Sequence, residues 1–254
     1  MQLPQYAAHA DMEERHWWFL ARRLILATLL HELLPPSKTT RLIDVGCGTG
    51  GLTHFLSNEY TVTGIDPSSD AIAFAQKRFP QNSFVHGHAP QDLADEFHRA
   101  DGILLIEVLE HIEDDVGFVH RLIDAMQPGA FLVMMAPADM SLWGPHDDAF
   151  EHFRRYEGLD DFRRLWVGTP MKELLVSYCN RRLYSVVKGM RKMSAFRGKS
   201  WGKGGTDIDV PMAPVNAVLR AIYEGEAQTL LRALRVGMAA YTKGVTVIAV
   251  LRKA

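Results

Sequence analysis

Residues 42–50 read Leu-Ile-Asp-Val-Gly-Cys-Gly-Thr-Gly, an apolar strand that runs directly into glycines at 46, 48 and 50, followed by a helical pattern. Glycine reaches positive φ and, lacking a Cβ, lets a ligand approach the backbone closely. A helix that begins at such a turn aims unpaired N–H groups and the positive end of its dipole at an anionic group. The segment therefore predicts the nucleotide-binding turn of an α/β fold.

The rest of the first half agrees. Short apolar strands at 41–45, 61–65, 83–86, 102–106 and 131–136 alternate with helical segments at 52–57, 69–78, 91–98 and 114–126. Continuous apolar strands alternating with helices predict a doubly wound, parallel sheet covered on both faces. Upstream, residues 11–34 carry Trp17, Trp18, Leu20, Leu24, Leu26, Leu29 and Leu33 near a 3.6-residue period and predict one helix, stopped by Pro35-Pro36. Downstream of Pro137, residues 138–156 form a loop rich in His, Asp and Arg. A helix over 159–165, a strand over 172–178, a helix over 214–235 and a closing strand over 244–251 follow.

Composition narrows the class. With 254 residues, 47 % hydrophobic and a net charge of −2, the chain has no general electrostatic affinity for nucleic acid or an anionic membrane. No apolar run reaches the ~20 residues of a membrane span. Two cysteines, Cys47 and Cys179, lack metal-ligand spacing and fit a reducing compartment, and the N-terminus shows no basic-then-apolar leader, so a cytoplasmic location is expected.

Gly46, Gly48 and Gly51 also satisfy the dinucleotide fingerprint, with Asp66 where a ribose-binding acid belongs. Three features favour another ligand. Asp44 sits inside the strand two residues before the first glycine, the fourth strand ends in Glu107-Val108-Leu109-Glu110-His111, and no second mononucleotide-binding half follows. Together these residues resemble the motifs of class I S-adenosylmethionine-dependent methyltransferases, most closely the small-molecule type 11/12 group. The likeness covers about residues 40–137. The flanks His16–Phe19 with Arg22-Arg23, and His152-Phe153-Arg154-Arg155-Tyr156, are similar to bacterial members.

The resemblance implies a seven-stranded, mostly parallel, Rossmann-like sheet with an N-terminal lid (1–38), a cofactor-binding core (39–137), acceptor-side loops and a helical insertion (138–243), and a final strand (244–254). It also implies cofactor roles. The backbone of Gly46, Cys47, Gly48 and Gly50 would face the methionyl carboxylate or ribose, and Asp44 would hold the methionyl ammonium. Asp66 would take the ribose diol, while Ile65 and Pro67 would sandwich adenine. Ala89 would offer a backbone N–H to adenine, with His88 standing where similar enzymes often carry an Asp. Glu107 would face the cofactor, Trp18 would form part of a lid, and Arg22 would approach the methionyl carboxylate.

Methyl transfer asks the protein to align a nucleophile, exclude water and in some cases remove a proton. Residues 138–156 are the expected acceptor wall: His146, His152 and Tyr156, with His111, as candidate catalytic groups, and Trp143, Arg154 and Arg155 as candidate acceptor-binding groups. The arginines can instead pair with Asp147, Asp148 or Glu151 as loop staples. A small molecule or modified peptide is the expected acceptor, O-methylation and an anionic acceptor being the favoured form.

Three alternatives stay open. Glu107, Glu110 and His111, with His146 or His152, can surround a divalent ion, as in small-RNA 2′-O-methyltransferases and ubiquinone-pathway O-methyltransferases. Residues 181–205, with eight basic and no acidic residues and an amphipathic spacing of Leu183, Val186, Val187, Met190, Met193 and Phe196, can be a solvated face, an acceptor lid or a peripheral membrane contact. An NAD(P)-dependent or non-catalytic nucleotide-binding protein on the same scaffold is the rival of a different class.

Overall fold

The computed structural model describes residues 3–197 and 209–254; the glycine-rich break expected at 202–205, with Lys199 and Lys203, lies outside them. In chain order the elements are α1 (Leu3–Arg15), α2 (Trp17–Leu33), β1 (Arg41–Val45), α3 (Gly51–Leu56), β2 (Thr61–Asp66), α4 (Ser69–Arg78), β3 (Ser83–His86), α5 (Ala94–Phe97), β4 (Gly102–Ile106), α6 (Asp115–Ala125), β5 (Phe131–Pro137), α7 (Pro145–Ala149), α8 (Leu159–Arg163), β6 (Met171–Cys179), α9 (Tyr184–Arg197), α10 (Ala213–Glu224), α11 (Ala227–Val236) and β7 (Thr246–Lys253).

The seven strands form one sheet in the order β3-β2-β1-β4-β5-β7-β6. The β1–β2, β1–β4, β2–β3 and β4–β5 pairs are parallel, and β7 inserts antiparallel between β5 and β6. Every residue of β4 is buried, as a central strand covered on both faces requires. On one face Val119, Leu122 and Ile123 of α6 pack with Ile103, Leu105, Phe162 and Trp166. On the other, Ile25, Leu26, Leu29 and Leu30 of α2 pack with Leu104, Ile106, Val133 and Met135, joined by Tyr223, Leu230 and Leu234 of α10 and α11. The strand order reverses direction between β1 and β4, so the crevice beyond their carboxyl ends is the topological switch point where ligands bind in such sheets.

Two helices expected to be continuous are broken. The 11–34 segment divides at His16, whose ring nitrogen caps α2 by accepting from the Trp18 N–H at 3.3 Å. Asn216 on α10 closes the break from both sides: its Oδ1 accepts the Trp17 N–H at 2.9 Å and its Nδ2 donates to the Arg15 carbonyl at 2.8 Å. The 214–235 segment divides at Gly225, where a Cβ would stand 2.3 Å from the Arg182 guanidinium. Among the described residues no helix is long and apolar enough to cross a membrane.

Candidate active site

The turn after β1 is built to leave room. Gly46 and Gly48 have φ of +73° and +52°; a Cβ on Gly46 would lie 2.5 Å from Val108, whereas a Cβ on Gly48 would meet nothing within 4 Å. The expected role of the turn's N–H groups needs correction. Gly46 and Cys47 N–H groups donate to the Ile65 carbonyl, Gly50 N–H to the Cys47 carbonyl, and Gly48 N–H to Asp66 Oδ2 at 3.0 Å. The turn spends these donors on β2 and on its own Cys47 carbonyl, so these four N–H groups leave space for a ligand rather than donors. Cys47 itself packs with Ile72, Ala75 and Phe84.

Asp66 ends β2 with each carboxylate oxygen held by one backbone N–H, Gly48 on Oδ2 and Ser68 on Oδ1 at 2.9 Å. Each oxygen keeps a second lone-pair direction, the geometry a vicinal diol requires. Asp44, buried in β1, accepts from the Thr53 hydroxyl at 2.6 Å, and burial pushes its carboxyl up to about 6. Ile65 is buried in the core and cannot face a ring, while Pro67 is exposed beside the crevice. Beyond β3, His88 is exposed and Ala89 buried.

Across the crevice, Glu107 follows β4 with φ of +56°, an uncommon conformation for a side chain of its length. Its carboxylate lies 3.8 Å from the Arg22 guanidinium, which itself stacks on Trp18 at 4.2 Å. Arg22 Nη1 and Glu107 Oε1 are both buried and have no hydrogen-bond partner among the described residues. The two atoms face each other as an ion pair beyond hydrogen-bond distance, so each keeps an open hydrogen-bonding position that a ligand carrying both signs of charge can fill. The methionyl carboxylate and ammonium of S-adenosylmethionine meet that requirement, and the space over Gly48 with the Asp66 carboxylate suits its ribose.

Glu107, Trp17, Trp18, His146, His152 and Arg155 also line a cavity of about 200 Å³, which thus shares Glu107 and Trp18 with the crevice. The opposite wall is α9 and the turn before it: Leu183 and Val187 turn the apolar side of the basic stretch inward, while Met193 and Phe196 remain exposed. The hub of the polar wall is Asp147, which the sequence offered as a staple for the arginines and which does pair with Arg155. Asp147, fully buried, accepts from Gly144 N–H at 2.9 Å, His152 Nδ1 at 3.1 Å, Arg155 Nε at 2.8 Å and Arg191. Burial disfavours its charge, but the His152 hydrogen bond and the Arg155 and Arg191 guanidinium groups outweigh it and hold the carboxyl well below its usual range.

His111, His146 and His152 meet, ring to ring: His152 lies 4.8 Å from His111 and 6.1 Å from His146. Burial and then Arg191 push His146 down to about 3. Burial and the neighbouring Glu107 push Glu110 well above the carboxylate range. Ligand atoms of Glu110, His111 and His152 lie within 4.8 Å of one another, so His152 rather than Glu107 completes that group.

Three expected site residues stand elsewhere. Tyr156 is fully buried in the core and donates to Asp115 Oδ2 at 2.8 Å; burial pushes its phenol far up, and it is no acid or base for the cavity. Arg154 pairs with Asp115 at 2.8 Å and donates to the Glu113 carbonyl at 2.6 Å, a loop staple. Trp143 donates its indole N–H to Asp148 at 2.9 Å and does not line the cavity. Arg155 does line it, with Nε on Asp147 and Nη1 on the Ala138 carbonyl at 2.8 Å.

The family model of the methyltransferase domain matches residues 16–178. The chain belongs to the class I S-adenosylmethionine-dependent methyltransferases. Trans-aconitate 2-methyltransferase of Variovorax paradoxus (strain S110) is 32 % identical over 111 residues, 41 % of each chain. Ubiquinone biosynthesis O-methyltransferase of Methylobacterium nodulans is 34 % identical over 98 residues, 37 % of this chain and 39 % of that one. The chain thus spans about two-fifths of the length of these curated relatives. The plantazolicin methyltransferase BamL, solved with a triazolic desmethylPZN analog and SAH, shares the fold at a TM-score of 0.59 and 15 % identity, over 98 % of this chain and 90 % of that one. Phosphoethanolamine N-methyltransferase 2 of Haemonchus contortus, solved with S-adenosyl-L-methionine, gives 0.53 and 14 %, over 90 % and 52 %.

Proposed function

We propose that this chain transfers the methyl group of S-adenosylmethionine to a hydroxyl oxygen of a small, largely apolar acceptor. The observation that carries the reading is His152, held by Asp147, on the wall of a largely apolar cavity that shares Glu107 with the donor crevice. Bound S-adenosylmethionine supplies an electrophilic methyl on a sulfonium whose departure leaves a neutral thioether. Arg22 holds the methionyl carboxylate, Asp44 and Glu107 form the anionic wall for its ammonium, and Asp66 takes the ribose hydroxyls. Ionised Asp147 keeps the His152 proton on Nδ1, so Nε2 carries the lone pair. His152 Nε2 then takes the proton as the acceptor oxygen bonds to the methyl carbon and the carbon–sulfur electrons pass to sulfur. His146, already too weakly basic at about 3, shapes the wall. The α1–α2 pair serves as the lid.

A tricarboxylate acceptor is less well supported, because Arg154 is bound to Asp115 and both Arg155 and Arg191 to Asp147. Transfer of labelled methyl from S-adenosylmethionine to catechol tests the reading: wild type methylates it and His152→Ala does so far more slowly. Methylation of trans-aconitate alone, undiminished in His152→Ala, overturns it.

A second reading rests on the Glu110, His111 and His152 group. The partnerless buried Glu110 Oε2 fits a cation, and Asp147 would orient His152 from behind as outer carboxylates orient metal-bound imidazoles. There a divalent ion would polarise the acceptor oxygen. Loss of catechol methylation on chelation, restored by Mg²⁺ or Zn²⁺, favours it; activity unchanged by chelation favours His152 as base.

A further inference from the structure

Asn180 stands apart from every role assigned so far. It follows β6 with φ of +52°, is 1 % exposed, lines the acceptor cavity, and its Oδ1 has no hydrogen-bond partner among the described residues. Asn tolerates the left-handed region better than other side chains, which fits it to this position but does not explain a buried acceptor left open. A lone carboxamide oxygen in an apolar wall costs stability unless something fills it. The turn that presents it is fixed from outside the cavity. Glu226, buried between α10 and α11, accepts the Arg182 N–H at 2.8 Å and faces the N–H groups of Arg181 and Asn180. Glu226 is thus a positioning residue for Asn180.

The cavity sets the size of what arrives. A dry apolar cavity of about 150 Å³ takes one benzene ring, so about 200 Å³ admits one ring with its substituents. Trp17, Leu183, Val187 and Leu219 give that ring an apolar surround.

We propose that Asn180 is the acceptor-recognition residue, its Oδ1 accepting a hydrogen bond from a second hydroxyl or N–H on a single-ring acceptor whose first hydroxyl faces His152. The proposal rests on the methyltransferase reading and narrows its substrate class to rings with two polar donors. A site built to hydrogen-bond a donor discriminates against the analogue that lacks it, because the buried acceptor is then left unpaired.

The experiment titrates the S-adenosylhomocysteine complex with catechol and with phenol, followed by ligand NMR, for wild type and Asn180→Gly. Glycine keeps the positive φ and removes the side chain. Wild type is expected to bind catechol about threefold to tenfold more tightly than phenol, the range of one hydrogen bond. Asn180→Gly is expected to bind both alike, with its affinity for S-adenosylhomocysteine unchanged. A catechol preference that survives in Asn180→Gly, or wild type that binds catechol no better than phenol or not at all, overturns the proposal. Failure of wild type to bind S-adenosylhomocysteine overturns instead the methyltransferase reading beneath it.

Discussion

Single residues carry the donor site. Asp66 offers two oxygens already oriented by Gly48 and Ser68, so Asp66→Ala is expected to weaken S-adenosylhomocysteine binding roughly 100-fold by calorimetry, the worth of two charge-assisted hydrogen bonds, with the circular dichroism unchanged. His152→Ala is expected to lower the rate of catechol methylation by roughly 100-fold or more at unchanged donor affinity, the range of a lost general base, while His146→Ala keeps most of the rate. Equal losses in the two variants would remove the distinction drawn from Asp147. Asp44, Asp66 and Glu107 were legible in the sequence because each closes or interrupts an apolar strand beside the glycine turn. Asn180 was not, since its place is fixed by Glu226, 46 positions away; Asp147 was legible only as a loop staple, because its link to Arg191, 44 positions away, leaves no local periodicity. Tyr156 was misread for the same reason: its Asp115 partner lies 41 positions upstream.

At the scale of elements, α1 is latched across the glycine turn. Glu13, 7 % exposed, accepts from the Thr49 hydroxyl and from Arg78 Nη1, both at 2.6 Å, and Arg78 donates on to the carbonyls of Thr49 and Ala10. Arg78 keeps Glu14 as a partner at 2.7 Å, so Glu13→Ala removes charged hydrogen bonds without stranding the guanidinium and is expected to cost about 2 kcal/mol in denaturant unfolding. If α1 covers the donor, the same variant releases S-adenosylhomocysteine faster in stopped flow; an unchanged release rate would make α1 packing alone. The strands were readable as short continuous apolar runs, and the helices α3, α4 and α6 from apolar residues near a 3.6 period. The break at His16 was not, because it is imposed by Asn216 from α10 rather than by a proline or glycine. The basic stretch became legible only in three dimensions, where Leu183 and Val187, at the start of α9, wall the cavity.

For the whole molecule, the sheet order places β1 and β4 side by side, so the glycine turn and Glu107 meet although some sixty residues separate them. This setting also fixes a pH dependence. Asp44 is held at about 6 in the fold against about 4 in the unfolded chain. The folded state therefore binds this proton more tightly, and the share of stability due to Asp44 is complete below pH ~4 and lost as pH rises through about 6. A cationic ligand that needs the ionised carboxylate has the opposite preference. Affinity for S-adenosylmethionine is expected to fall as pH drops below about 6, and Asp44→Asn is expected to flatten that slope.

The central claim is that the crevice between the glycine turn, Asp66 and Glu107 holds the methyl donor beside, and separate from, the His152 cavity. Calorimetric titration of S-adenosylhomocysteine into wild type, Asp66→Ala and His152→Ala tests it most directly. The expected result is one site in wild type, the same site at the same affinity in His152→Ala, and its loss in Asp66→Ala. Wild-type binding by Asp66→Ala, or binding of NADH in place of S-adenosylhomocysteine, would contradict it.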